Sequence, residues 1–248
     1  MLRDTGSIIT GSLSYRFFQR QPVPWSPREI HIVTSFGSYH NVKRFLRAMF
    51  DGARVTHWGP PGALSRLIFT FYGRTVLDTT HFTIHVCQTR TNDVFYPLPF
   101  YSSTHLMNAL SADTFFSAYP GLSFHMKGIN INHADFSTLR IESHPTEDYL
   151  DQDFLSFDEA KDASALAADC RSYAACAKVD RFLGDRWSLV LPIGSHSVTE
   201  AAGVLEGKEV TAWRIGGSAC GNGHCFGSRS RSIIATMSWV GVHSFSEI

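Results

Sequence analysis

Glutamate and histidine alternate with apolar residues in one short segment, and both residue types can hold metal ions or move protons. The segment is Glu29-Ile30-His31-Ile32-Val33. Successive side chains of a β-strand point to opposite faces of its sheet, so a strand here places Glu29 and His31 on the same face. We therefore predict a strand that presents a carboxylate and an imidazole together.

A Gly-Ser pair precedes this strand and predicts a place where a phosphate group can bind. Gly11 permits a tight turn that a side chain would obstruct. Residues 13–19 follow with apolar side chains at helical spacing, so Ser12 is expected at the N-terminus of a short helix. Unpaired backbone N–H groups at that end of a helix can bind an anion.

The order of Gly-Ser turn, helix and polar strand resembles the nucleotidyltransferase fold. That family has an apolar residue, Gly, Gly or Ser, a helix, and then Asp-apolar-Asp on a strand. The string Trp25-Ser26-Pro27-Arg28-Glu29-Ile30-His31 is similar to the Trp-x-Pro-x-Asp-apolar-Asp form of a set of such proteins in mushroom-forming fungi. Residues 101–110 and 116–122 also resemble that set, so the resemblance spans about residues 3–125. It implies an α/β (α+β) fold with a mixed sheet flanked by helices.

The resemblance also implies a third acidic position, on a strand that we predict over residues 81–87. The matching residue is His85, and Glu29 and His31 replace the family's two aspartates. Two-metal catalysis needs carboxylates that bridge Mg²⁺ ions, and imidazole is a poor substitute. We therefore expect a degenerate, pseudoenzyme form of the fold that acts as a nucleotide- or protein-binding module. Its nucleotide phosphate is expected at Gly11 and Ser12.

Two other interpretations of these residues stay open. The first is an active nucleotidyltransferase that binds Mg²⁺ and nucleotide at an altered metal site containing Glu29. The second applies if the fold brings Glu29, His31 and His85 together, because two histidines and one carboxylate can bind Zn²⁺ or Fe²⁺.

Four cysteines in the last third of the chain suggest a separate possibility. They are Cys170, Cys176, Cys220 and Cys225. With tetrahedral geometry they could hold a structural zinc ion and make a zinc-stabilised protein-interaction domain. Their spacings are wider than the usual Cys-x2-Cys pair, so disulfides or unpaired thiols are alternatives.

Composition limits the class of protein further. The 248 residues are 44% hydrophobic and 13% aromatic, enough for a substantial core, and 22 basic residues balance 22 acidic ones. A net charge of zero gives no strong signal for nucleic-acid binding. The sequence has no signal-peptide pattern and no run of about 18 apolar residues, so we expect a soluble, cytoplasmic (intracellular) protein without a membrane partner.

The patterning divides the chain into three parts and predicts further elements. A nucleotidyltransferase-like domain is expected over residues 1–130, an acidic connecting segment over 131–156, and a smaller Cys-containing α/β subdomain over 157–248. Helices are predicted over residues 38–51, 101–110 and 157–179, the second capped by Ser102 or Ser103. Strands are predicted over 64–72, 75–78, 187–191, 209–215 and 232–242, with a tight turn at Gly73-Arg74 between the first two.

Overall fold

The computed structural model is a mixed α/β fold built on one large mixed sheet, which confirms the expected class. The residues that it describes are 1–19, 27–58, 71–101, 104–124, 181–194, 211–213 and 235–236. Helices are few and short in these ranges. Among them, no helix has the length and apolar character needed to cross a lipid bilayer.

The elements follow one another in a simple order. The helices are α1 (Leu2–Thr5), α2 (Ser12–Phe18), α3 (Tyr39–Met49) and α4 (Pro120–Ser123). The strands are β1 (Ile8–Thr10), β2 (Glu29–Thr34), β3 (Arg54–Trp58), β4 (Phe71–Asp78), β5 (Thr83–Thr89), β6 (Asn108–Leu110), β7 (Thr114–Ser117), β8 (Arg181–Phe182), β9 (Leu189–Pro192), β10 (Thr211–Trp213) and β11 (Ala235–Thr236). Short 3₁₀ turns lie at Phe36–Ser38, Leu98–Phe100 and Thr104–Leu106.

The described strands form a large sheet and a small one. The large sheet has the order β3-β4-β5-β2-β1-β6-β7-β9, and the small one the order β11-β10-β8. Within the large sheet β2 and β5 are parallel, and the other neighbours are antiparallel. The parallel pair lies in the interior of the sheet, where each strand is bonded on both sides.

Helix α3 covers one face of this sheet. Its Val42 and Leu46 lie four residues apart and are both buried, because residues at that spacing share one side of a helix. They pack in one cluster with Ile32, Ile84 and Val86 of the central strands. This face of β2 and β5 is therefore apolar core.

The opposite face of the sheet is apolar over only part of the length of its strands. Toward the C-terminal ends of β2 and β5, Val33 and Cys87 are buried in a second core cluster with Ile8, Phe95 and Met107. The alternation of a strand puts the remaining polar residues of β2 and β5 on this same face, beside the apolar part.

Two predicted elements are wrong. No turn separates two strands at Gly73-Arg74, because β4 runs through both residues, with a shift of register between Phe71 and Gly73. No helix spans residues 101–110 either. The described part holds a 3₁₀ turn and then β6, whose backbone pairs with β1 and β7. The predicted caps Ser102 and Ser103 lie outside the described residues.

Some of the described C-terminal residues join the large sheet or its core. Strand β9 pairs with β7, and the buried Trp213 belongs to the same core cluster as Val33. The strands predicted over 187–191, 209–215 and 232–242 coincide in part with β9, β10 and β11. The acidic segment 131–156 and the helix over 157–179 lie outside the described residues, so the predicted domain boundaries stay predictions.

Candidate functional site

A row of side chains crosses the polar part of the large sheet. His31 of β2 is in register with His85 of β5 on one side and with Thr10 of β1 on the other. Val76 of β4 extends the row beyond His85. Residues in register on neighbouring strands share a face and lie about 5 Å apart, so the two imidazoles are forced together. Their ring centroids are 4.9 Å apart.

Glu29 completes a group of three possible ligands. It lies two residues before His31 on the same face, and its Oε2 is 3.3 Å from Nε2 of His31 and 3.6 Å from Nε2 of His85. The side chains of Glu29 and His31 are 19% and 25% exposed, whereas that of His85 is 5% exposed. The structure therefore brings the three sequence-predicted positions together, with solvent access from the Glu29 and His31 side.

Arg74 of β4 is the fourth member of the group. Its Nη2 lies 2.6 Å and its Nε 3.2 Å from Nδ1 of His85. A guanidinium group has only donors, so Nδ1 of His85 must accept these hydrogen bonds. The neutral ring then carries its proton on Nε2, on the side of Glu29. We call Glu29, His31, Arg74 and His85 the Glu29 cluster.

The surroundings of Glu29 and His85 determine the charge that each carries. Burial alone raises the pKa of a carboxyl group, but the neighbouring imidazoles of His31 and His85 outweigh burial and hold the pKa of Glu29 well below its usual range. Burial lowers the pKa of His85 to about 4, against the opposing effect of the Glu29 carboxylate. At neutral pH the cluster therefore contains an anionic Glu29, a neutral His85 and a cationic Arg74.

The Gly11 turn lies beside His31 of this cluster. Gly11 has φ 74° and ψ −149°, a conformation that side-chain-bearing residues rarely adopt, and it precedes Ser12, the first residue of α2. A Cβ atom on Gly11 would lie 3.8 Å from Cγ and Nδ1 of His31. The neighbouring Thr10 is hydrogen-bonded to the hydroxyl of the buried Tyr101. The turn is thus held next to the ring of His31.

The donor set does not suit a pair of magnesium ions. Mg²⁺ prefers oxygen ligands, and two ions that share bridging carboxylates need more than one acid. Among the described residues, Glu29 is the only acid in the group of three possible ligands. Arg74 adds a positive charge close by, which opposes a second cation. The arrangement fits either one metal ion that accepts nitrogen ligands or an anion that Arg74 can bind.

Cys87, the cysteine within the described residues, does not enter this group. Cys87 lies two residues beyond His85 on the same face, but it is a free thiol in the core, and burial raises its pKa to about 12. Such a thiol stays protonated and is a poor metal ligand. The predicted zinc ligands Cys170, Cys176, Cys220 and Cys225 all lie outside the described residues.

Sequence reasoning missed Arg74 because it placed the residue in a turn. The alternation of Arg74, Val76 and Asp78 along β4 was the available signal, and it is weak without the register between β4 and β5. No family model, no curated protein and no solved structure matches this chain.

Proposed function

We propose that this protein is a nucleotidyltransferase-like binding protein that holds a nucleotide through its phosphates and does not transfer it. The observation that carries the proposal is the position of Gly11 against His31, with Arg74 and His85 on the same face of the sheet. This arrangement supports a phosphate site beside the cluster, and the three positions that the family resemblance makes acidic hold one carboxylate, Glu29.

The loss of transfer chemistry follows from charge and ligand type. In two-metal phosphoryl and nucleotidyl transfer, the ions neutralise the phosphates and align the attacking oxygen. Replacing two of three acids by His31 and His85 removes two negative charges and two oxygen ligands. The remaining carboxylate, Glu29, has His31 and His85 as its nearest partners.

Phosphate binding without Mg²⁺ is supported by Arg74. A guanidinium group presents paired donors that match phosphate oxygens, and it stays charged at any physiological pH. Arg74 lies on the same face of the sheet as His85, and its contact with His85 orients the guanidinium group.

The test is a titration of the full-length protein with a fluorescent nucleoside triphosphate, in EDTA and again with Mg²⁺. We expect the wild-type protein to bind the nucleotide in EDTA. Arg74→Gln should bind it about tenfold more weakly, which is the usual effect of losing one hydrogen bond to a charged group. Arg44→Gln is the matched control, because Arg44 is an exposed arginine of α3 that donates a hydrogen bond to Asn41 of the same helix.

Two outcomes would overturn the proposal. Failure of every nucleoside triphosphate to bind removes the nucleotide function. Incorporation of a labelled nucleotide that disappears in Glu29→Ala shows instead an active transferase with an altered metal site.

A further inference from the structure

Three ligand atoms in the Glu29 cluster have the spacing of a mononuclear transition-metal site. Two donors bound at about 2.1 Å from a tetrahedral ion lie about 3.4 Å apart. The two Glu29–histidine distances are 3.3 and 3.6 Å, and the ligand atoms of all three residues lie within 4.8 Å of one another. A small movement of His31 and His85 toward each other would give all three ligand atoms the spacing of a tetrahedral site.

Burial and bonding also favour a ligand at this point. Nε2 of His85 is fully buried, and among the described residues it has no hydrogen-bond partner at normal distance. An unsatisfied buried polar atom is unfavourable, and coordination to an ion would satisfy it. The partial exposure of Glu29 and His31 leaves the fourth position of a tetrahedral ion open to water.

The geometry points to one divalent transition-metal ion, such as Zn²⁺, bound by Glu29, His31 and His85, with Arg74 acting against its binding. Two imidazoles and one carboxylate form a common ligand set for zinc and neighbouring metals. The site differs from a magnesium pair in the number of ions, the ligand atoms and the preferred metal. The inference goes beyond nucleotide binding and does not require it.

The effect of Arg74 follows from the protons of His85. A neutral histidine that binds a metal through Nε2 carries its proton on Nδ1, and this N–H normally donates to a carboxylate or carbonyl oxygen. In the structure Nδ1 instead accepts two hydrogen bonds from Arg74. Metal binding therefore requires Arg74 to turn away so that the proton can move from Nε2 to Nδ1. The positive charge of Arg74 also repels the incoming cation, so both effects weaken metal binding.

The experiment uses the full-length protein, freed of metal by a chelator and titrated with Co²⁺, whose visible absorption reports the ligands of a tetrahedral site. We expect one Co²⁺ per chain with the spectrum of nitrogen and oxygen ligands. Thiolate ligands add strong near-ultraviolet absorption, so cobalt bound to Cys170, Cys176, Cys220 or Cys225 is recognised separately.

Substitutions test each part of the inference. Glu29→Gln, His31→Gln and His85→Gln are expected to abolish the nitrogen–oxygen signal. Arg74→Gln is expected to bind Co²⁺ about tenfold more tightly, the lower end of the effects that residues behind a metal ligand exert. Arg44→Gln serves again as the control and is expected to match the wild type.

A second measurement does not depend on whether the variants fold. In the wild-type cobalt protein, two exchangeable imidazole N–H protons should give strongly shifted nuclear magnetic resonance signals. Absence of any nitrogen–oxygen cobalt spectrum, or of both shifted signals, overturns the metal site. Unchanged or weaker cobalt binding in Arg74→Gln overturns the role of Arg74.

Discussion

Two groups in the described part of the chain each combine an arginine with a nearby acid, and they differ in how completely their polar atoms are bonded. The first is the Glu29 cluster. The second, which we call the Arg181 cluster, consists of Arg181, Asp185, Tyr119, Trp187 and Trp213. Both lie on or against the large sheet, so their position alone does not tell them apart.

The Arg181 cluster is closed to solvent and its acid is saturated with donors. Arg181 is fully buried and donates to both carboxylate oxygens of Asp185 and to the backbone of Ala118. The carboxylate also accepts the backbone N–H groups of Phe182, Trp187 and Ser188. Rings of Tyr119, Trp187 and Trp213 lie 4.5 to 5.8 Å from the guanidinium carbon. No capacity for a ligand remains at this acid, and the cluster has a structural role.

The Glu29 cluster is open and loosely bonded by comparison. The contacts of its histidines to Glu29 are 3.3 and 3.6 Å long, and Nε2 of His85 makes no hydrogen bond of normal length among the described residues. A buried charge by itself therefore does not identify a functional site in this fold. Incomplete bonding next to solvent does, because a ligand can supply the missing contacts.

The largest expected effect comes from breaking the saturated cluster. Asp185→Asn is expected to lower the free energy of unfolding by about 3–5 kcal/mol, because it leaves the buried Arg181 without its counter-charge. Denaturant unfolding monitored by tryptophan fluorescence measures the change. Asp113→Asn is the control, since Asp113 pairs with the exposed Arg3 and its loss should leave stability close to that of the wild type. Equal losses in the two variants would refute the distinction.

A buried histidine outside both clusters provides a second contrast. His105 is 1% exposed, contacts the ring of Tyr15, and has its pKa lowered by burial to about 3. In the unfolded chain its pKa is about 6.5. The unfolded state therefore binds the extra proton between these values, and stability is full above pH 6.5 and falls as the pH decreases.

Protonation of this histidine in the unfolded state is expected to lower the free energy of unfolding by about 2 kcal/mol between pH 7 and pH 5. His105→Gln should reduce the difference in unfolding free energy between the two pH values by about that amount. The comparison within each protein cancels any constant effect of the substitution. A pH dependence identical to that of the wild type would show that folding does not lower the pKa of His105.

The sequence predicted best those features that depend on neighbouring residues in the chain. Alternation located β2, and helical spacing located α3 with its buried Val42 and Leu46. The Gly11 turn was also predictable, because its backbone conformation favours glycine. Local periodicity is a strong signal wherever one side of an element is buried.

Features that depend on strand pairing were less accessible. The meeting of His31 with His85 requires the parallel register of β2 and β5, and only the family resemblance suggested it. Arg74 was missed because β4 passes through a Gly-Arg pair that is typical of turns. Residues 108–110 had helical spacing, but pairing with β1 and β7 outweighed that local preference.

Glu29→Gln is expected to change stability much less than Asp185→Asn, although it is expected to abolish metal binding. Glu29→Gln keeps the shape of the side chain and removes a charge whose hydrogen bond to His31 is long and partly exposed to water. We expect a loss of about 1 kcal/mol at pH 7, near the net contribution of one ordinary hydrogen bond. Asp185→Asn is the matched acid-to-amide change, and both are measured by denaturant unfolding under the same conditions. A loss of stability in Glu29→Gln as large as that in Asp185→Asn would mean that the Glu29 cluster stabilises the fold. Incomplete bonding would then not distinguish a functional site from a structural one. Because the pKa of Glu29 lies below its ordinary value, the difference between wild type and Glu29→Gln should shrink as the pH falls below about 4.5.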